Sequence, residues 1–292
     1  MRFALTLFLS LACTVPARAD LVVRDDTGQE VRLKAPARRI VTLAPHAAES
    51  LFAAGAGDRL VGTVSFSDYP EAARKVPVVG SYDRFDLEAI AALKPDLVIA
   101  WQSGNPPAQV ERLKALGLPV FVQQPNRLED VAGQLEALGR LAGTEPQANA
   151  AAARFRERLA ALRAYSAKPP VRVFYQVWKS PLMTVGAPQI ISDVIRLCGG
   201  DNVFGKLPQM APAISVEAVL EADPEAIVVS GMGQNNPEWL DDWRRWKNLT
   251  AVRRDNLFFI NPQLIQRHTP RILEGAQALC TDLDLARSRR RP

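Results

Sequence analysis

Histidine is scarce in this chain: there are two in 292 residues, His46 and His268. Neither lies in a spacing such as HxxxH, and there is no CxxC pair. A zinc or manganese carrier needs several imidazole, thiolate or carboxylate donors at set spacings, so that class is disfavoured and no metal site is assigned. There is no GxSxG elbow, no GxxxxGK[ST] loop and no GxGxxG at a strand–helix junction. These absences argue against the common serine hydrolases, P-loop NTPases and dinucleotide enzymes. Cys198 precedes Gly199-Gly200 and reads as a helix end, not as a nucleophile. No catalytic residue is assigned and no resident cofactor is expected. Charge of one sign is also missing: 36 basic residues against 31 acidic ones leave +5. Part of that sits in a short tail, 288–292, which reads as a frayed, solvated end. No basic stripe is present, so a nucleic-acid partner is not expected.

The N-terminus places Arg2 before an apolar run from Phe3 to Val15, followed by Ala17-Arg18-Ala19. This is the pattern of a secretory signal peptide, 1–19, cleaved after Ala19. The run is too short for a membrane span, which takes about 18 or more apolar residues, and no later stretch reaches that length. A lipoprotein signal ending at Cys13 is the rival; Ser10, three residues before that Cys, argues against it. Export leaves Cys198 and Cys280, an even pair in an oxidising compartment. A disulfide between them is the simplest expectation.

A pattern occurs twice. Residues 86–100 read DLEAIAALKPDLVIA and residues 215–229 read SVEAVLEADPEAIVV. Aligned on Glu88 and Glu217, both run through a short amphipathic helix, a Pro turn, an acid (Asp96, Glu225) and a buried strand. Around the copies, short strands alternate with short helices, the signature of a mostly parallel sheet. Two copies far apart predict two similar lobes. The stretch from Thr144 to Ala167 differs. Thr144 is a candidate cap, Pro146 sits in the first turn, and Ala151, Phe155, Leu159 and Leu162 recur at helical spacing. The expected fold is α/β, with two similar lobes of mostly parallel sheet joined by one long rigid helix and a ligand cleft between them. The boundaries expected are 20–37 for a lead-in, 38–143 for the first lobe, 144–168 for the joining helix and 169–287 for the second lobe.

Ligands of open parallel sheets sit beyond the carboxyl ends of the strands. The residues at those places are Phe66, Asp68 and Tyr69, then Tyr82 and Phe85, Trp101, Trp178, Gln263 and Arg267. So many aromatics with so few charges suit a large, flat, partly apolar ligand with a polar rim. Trp239, Trp243 and Trp246 lie at helical spacing and read as packing.

The segments RIVTLAPHAAESLFAAGAGDRLVG, SFSDYP, FDLEAIAALKPDLVIAW, LCGGDNVF and TPRILEGAQALC together resemble the cobalamin-binding branch of the iron-siderophore/cobalamin substrate-binding family over about residues 38–285. The resemblance implies two α/β lobes, a corrinoid carried as cargo in the periplasm, and an ATP-driven membrane permease as partner. A monomer is expected. The family's aromatic ligand contacts fall on Phe66, in place of Tyr, on Tyr82, in place of Trp, and on Trp101. Its permease-docking acids fall on Glu88 and Glu217, and its disulfide on Cys198 and Cys280. The second lobe departs: Gln263-Leu-Ile-Gln-Arg267 keeps only the Arg, and Ala211 stands where a Trp would. Haem or a ferric siderophore are the alternative cargoes. Haem would need an axial ligand such as His46, Tyr69 or Tyr82, and Arg84, Arg267 and Arg271 are few for an anionic siderophore. A secreted hydrolase or lyase lacks its nucleophile–base set. His46 is also considered as an axial ligand to cobalt, although a polar residue at a helix start is the plainer reading.

Overall fold

The computed structural model describes residues 20–231 and 237–290. The expected signal peptide and the last two residues of the tail lie outside them. β1 (Leu21–Arg24) and β2 (Glu30–Leu33) form an antiparallel hairpin, with Leu21 opposite Leu33. The buried Asp25 carboxylate closes its turn by accepting from the backbone of Thr27 and Gln29, each at 2.9 Å.

The first lobe is a parallel sheet in the order β4-β3-β5-β6, made of β3 (Ile40–Thr42), β4 (Leu60–Gly62), β5 (Leu97–Trp101) and β6 (Val120–Gln123). Its helices are α1 (Pro45–Ala53), α2 (Leu87–Ala92), α3 (Pro107–Ala115) and α4 (Leu128–Ala142). α5 (Glu145–Leu162) leads into the second sheet, ordered β10-β9-β7-β8, from β7 (Val171–Gln176), β8 (Gly200–Asn202), β9 (Ala226–Val229) and β10 (Leu257–Phe259). With it go α6 (Ile190–Leu197), α7 (Val216–Ala222), α8 (Asp241–Arg244), α9 (Thr250–Arg253), α10 (Pro262–Ile265) and α11 (Ile272–Ser288). Read in chain order, both sheets run second, first, third, fourth strand, and all their pairings are parallel. The two lobes are the same α/β design.

The repeated sequence explains the sameness. Asp86 and Ser215 cap α2 and α7, accepting from the backbone of Glu88 and Ala89 in one lobe and of Ala218 in the other. Each copy ends in a non-glycine residue at positive φ before its proline, Lys94 at +47° and Asp223 at +37°. The acid after the proline then holds the start of the central strand. Asp96 accepts from the backbone of Arg38 and Arg39 at 2.8 and 2.9 Å, and Glu225 from that of Arg172 at 3.2 Å. In return the Arg39 guanidinium binds the Leu93 carbonyl at the end of α2, and Arg172 binds the Ala222 carbonyl at the end of α7. The acid and the guanidinium thus satisfy backbone groups on both sides of the joint and tie the helix end to the central strand.

α5 carries one hydrophobic core across both lobes. Ala148, Ala151 and Ala152 continue the cluster built on Leu135 and Leu138, and Phe155, Leu159 and Leu162 continue it toward Val171, Val173 and α11. Gly139 on α4 permits the close approach, since a Cβ there would overlap that of Ala148. Burying Phe155 and Leu159 contributes roughly 2 to 3 kcal/mol each, and the same residues resist bending of one lobe against the other.

Four local expectations are corrected. Thr144 does not cap α5; its hydroxyl donates to the Ala54 carbonyl at 2.7 Å, which ties the helix start to α1. The helix proper stops at Leu162 and tightens into a 3-10 turn over Arg163–Ala167. The Trp-rich stretch is a 3-10 turn, Pro237–Leu240, followed by the single turn of α8, with Trp246 beyond it. The described part of the basic end does not fray: Arg287 donates to the carbonyls of Pro169, Cys198 and Gly199, Arg289 to that of Asp255, and Arg290 pairs with Glu225 at 2.7 Å. α11 runs far enough to bring these guanidiniums back to the start of β7.

Cys198, just past α6, is bonded to Cys280 in α11, closing a separation of 82 residues. In the chain-entropy picture such a link stabilises by about 4 kcal/mol. Reduction, or replacement of both cysteines by Ser, is expected to lower the denaturant midpoint accordingly. An unchanged midpoint in urea unfolding would remove the bond from the stability of this fold.

Candidate functional site

The two sheets present their carboxyl ends to each other. From the first lobe come Trp101 at the end of β5, the loop Ser65–Pro70 after β4, and Tyr82 before α2. Asn105, buried, ties Trp101 and Tyr82 together. Its carbonyl oxygen accepts from the Trp101 backbone at 2.6 Å, and its amide donates to the carbonyls of Leu43 and Tyr82 at 2.8 and 2.7 Å. The Trp101 ring lies against Gly104, where a Cβ would overlap it. Phe66 is 68% exposed and sits at φ +66°, an uncommon place for a bulky residue. Tyr69 and Tyr82 are exposed as well.

From the second lobe come α10 and the segment after it, which carries Arg267, His268, Thr269 and Arg271. These side chains cross the gap. Arg267 donates to the Asp68 carboxylate at 2.7 Å and to the Phe66 carbonyl at 2.8 Å. Glu49, on α1 and 3% exposed, accepts from Nε and Nη2 of Arg271 at 2.7 Å each and from the Thr269 hydroxyl at 2.6 Å. Arg267 Nη1 is 3.6 Å from the same carboxylate. The Arg271 guanidinium also lies over the Tyr69 ring, 3.6 Å from its centroid. The hydrogen bond to Glu49 holds the Arg271 pKa above its ordinary value. Two cations share one buried carboxylate, and Asp68 supplies the second negative charge.

Beneath this clasp four rings gather. His46 is 5.1 Å from Trp101 and 5.2 Å from His268, centre to centre, and Tyr82 is 5.9 Å from Trp101. Both imidazoles are buried, and burial is the main cause that lowers their pKa values: His46 well below the usual histidine range, with help from His268 and Arg267, and His268 to about 4. Both rings are therefore neutral at pH 7. His46 Nε2, Trp101 Nε1, Arg267 Nη1 and His268 Nδ1 are buried without a hydrogen-bond partner among the described residues. Unpaired buried polar atoms in one place are costly. The arrangement can stack on a flat ligand from the first lobe and offer donors and imidazole nitrogens beneath it.

The anticipated residues divide. Tyr82 and Trp101 come together here, and Arg267 reaches the backbone carbonyl of Phe66. Gln263 sits on α10, partly buried, its side-chain oxygen unpartnered. Trp178 packs edge-on against Trp239, at 5.8 Å, inside the second lobe's own aromatic cluster. Glu88 and Glu217 are exposed at the second positions of α2 and α7. Sequence reasoning missed Glu49, Asn105 and His268 as members of the site. Glu49 reads as an ordinary helix-face acid, and nothing near Asn105 or His268 in the chain marks them.

Residues 40–264 match the periplasmic binding protein family. The chain belongs to that family. Its members are substrate-binding proteins of transport systems. A vitamin B12-binding protein of Vibrio parahaemolyticus is 37% identical over 257 residues, covering 87% of this chain and 92% of the relative. One from Yersinia pseudotuberculosis is 35% identical over 283 residues, 97% of this chain and 92% of its own. The crystal structure of BtuF, the periplasmic vitamin B12-binding protein of Vibrio cholerae, superposes with a TM-score of 0.81 at 37% identity, covering 86% of this chain and 98% of BtuF. The periplasmic haem-binding protein RhuT from Roseiflexus, at 23% identity and a TM-score of 0.75 over 85% of this chain and 99% of its own, shares the fold.

The buried carboxylate generates a sharp expectation. Glu49→Ala leaves the buried Arg267 and the half-buried Arg271 without their shared partner and is expected to destabilise by about 3 to 5 kcal/mol. Urea unfolding measures it. A loss below about 1 kcal/mol, the range of exposed ion pairs, would show that the cross-lobe cluster holds nothing together.

Proposed function

We propose that the protein is a periplasmic receptor that holds cobalamin or a related corrinoid between its lobes and delivers it to the permease of an ABC importer. The observation that carries this reading is an aromatic wall at the gap, Tyr82 5.9 Å from Trp101 and Phe66 exposed, with Arg267 of the other lobe reaching across to the Phe66 carbonyl. The vitamin B12-binding relatives support the same cargo. The reading gives the protein no catalytic role and no resident cofactor; the corrinoid is cargo. It places the mature chain, after loss of residues 1–19, in the periplasm as a monomer with one ligand. Phe66, Tyr82 and Trp101 contact the ring system and Arg267 and Gln263 its polar side chains, while Trp178, held in the second lobe's packing, has no ligand contact in this reading. Incubation with cobalamin, haemin or a ferric siderophore, then desalting and an absorption spectrum, tests the cargo; retention of haemin or siderophore in place of cobalamin would reassign it. Calorimetry with Trp101→Ala should show a loss of about 1 to 3 kcal/mol in cobalamin binding, as expected for a large stacking contact. Unchanged affinity in the folded variant would return Trp101 to loop packing.

Delivery needs a surface as well as a cleft. Glu88 and Glu217 occupy matching places in the two lobes, both exposed, and neither forms an ion pair among the described residues. One free carboxylate per lobe suits a permease with paired basic residues. Rim charges mainly set orientation and association rate and weaken with salt. The double variant Glu88→Ala, Glu217→Ala is therefore expected to keep its corrinoid affinity while permease binding and uptake fall, most visibly at low ionic strength, where the intact charges act unscreened. Normal uptake would leave both as helix-start acids favoured by the exposed amides.

A further inference from the structure

The stacking surface and Arg267 do not account for the two histidines. The chain's only imidazoles come from different lobes, α1 and the segment after α10, yet their centres are 5.2 Å apart. Both residues are nearly sealed, at 5% and 2% exposure, and each keeps one buried nitrogen without a partner among the described residues, His46 Nε2 and His268 Nδ1. A packing role would be filled better by an apolar ring of similar size, because an unpaired buried nitrogen is costly. A neutral imidazole nitrogen in such a place is a lone-pair donor.

Its natural acceptor follows from the surroundings. A free divalent ion is disfavoured: no group of three metal-binding side chains exists among the described residues, and the Arg267 cation acts directly on His46. The rings also stand closer than the roughly 6 Å needed to grip one metal from opposite faces of a flat macrocycle. One ring is thus a donor from a single side, with the other beside it. Trp101 touches both, at 5.1 and 6.1 Å, so the donor lies at the edge of the proposed stacking surface.

We propose that the His46–His268 pair supplies a nitrogen ligand to the cobalt of the bound corrinoid, so that the cleft favours cobalt(III) corrinoids with an exchangeable axial water. The inference rests on the corrinoid reading above. In the step, the cobalt–water bond breaks and a cobalt–nitrogen bond forms. The imidazole nitrogen provides both electrons of the new bond and the water leaves with its own pair. Cobalt stays cobalt(III), and no oxidant or reductant is consumed. Because the pair joins the lobes, a ligand must part them to reach it, and coordination then takes the place of a contact the empty protein makes with itself.

Two corrinoids decide the matter: aquocobalamin, whose water exchanges, and cyanocobalamin, whose cyanide does not. With the intact protein, aquocobalamin should show a shifted visible band and bind at least about tenfold more tightly than cyanocobalamin, the scale on which ligand-shell changes act at metal centres. In His46→Ala or His268→Ala, whichever removes the donor, the shift should vanish and the two affinities should converge; added imidazole should restore the band. Unshifted bands and equal affinities in the intact protein overturn the inference and leave the corrinoid reading standing. A shift that survives in both variants and in the double variant overturns it too, since the donor then lies elsewhere. If neither corrinoid binds, the reading and the inference fall together.

Discussion

Glu49 lies at the point where the two lobes touch, sealed from solvent and faced by Arg267 and Arg271 from the opposite lobe. A carboxylate in that position is tolerated only because its oxygens are filled by a bidentate guanidinium and a hydroxyl. Much of the site's geometry follows from it. Arg271 is oriented so that its flat face covers Tyr69, and Arg267 is turned to hold Asp68 and the Phe66 carbonyl. The loop Ser65–Pro70 is thereby pinned from the far lobe, with Phe66 at positive φ displaying its ring to solvent. His268 follows Arg267 directly in the chain, so the placement of that guanidinium also sets the second imidazole against the first.

The joining helix provides the counterpart of this polar clasp. Its alanine face meets α4 and its Phe155–Leu159–Leu162 face continues into the second sheet within one cluster. An apolar core on one side and a charged contact on the other resist different motions. The core opposes twisting and bending at α5 through lost packing. The clasp is short-ranged and directional, and a ligand that competes for Arg267 can replace part of it. This is the balance expected of a receptor that must open for its cargo without losing the relation of its lobes.

The matched repeats shape the core and the surface alike. In each lobe a capped helix start leaves one glutamate exposed, while the acid after the proline accepts from the backbone at the start of the central strand. The same short sequence thus supplies both a structural carboxylate and a surface one, and it does so twice. Two similar lobes carry their surface acids as a matched pair by construction.

Much of this was legible along the chain because it depends on neighbours in sequence. The doubled helix–proline–strand pattern announced two parallel sheets, and helical spacing at Ala151, Phe155, Leu159 and Leu162 marked the joining helix. Strand-end positions named Tyr82 and Trp101, whose rings lie 5.9 Å apart, and Phe66 and Arg267, joined through the Phe66 carbonyl. Local chemistry failed where a distant partner competes. Thr144 looks like a cap, but its hydroxyl goes to Ala54; the basic end looks solvated, but Glu225 and the carbonyls around β7 take its guanidiniums. Trp178 stands at a strand end like the others, yet Trp239 draws it into the second lobe's packing. Glu49, Asn105 and the pairing of His46 with His268 were decided by tertiary structure alone. Each is a single polar residue whose partners lie tens to hundreds of positions away. Periodicity and turn chemistry determine elements and their order, because they arise from the local backbone. Which buried polar groups face one another depends on how two finished lobes close, and that closure is a property of the whole chain.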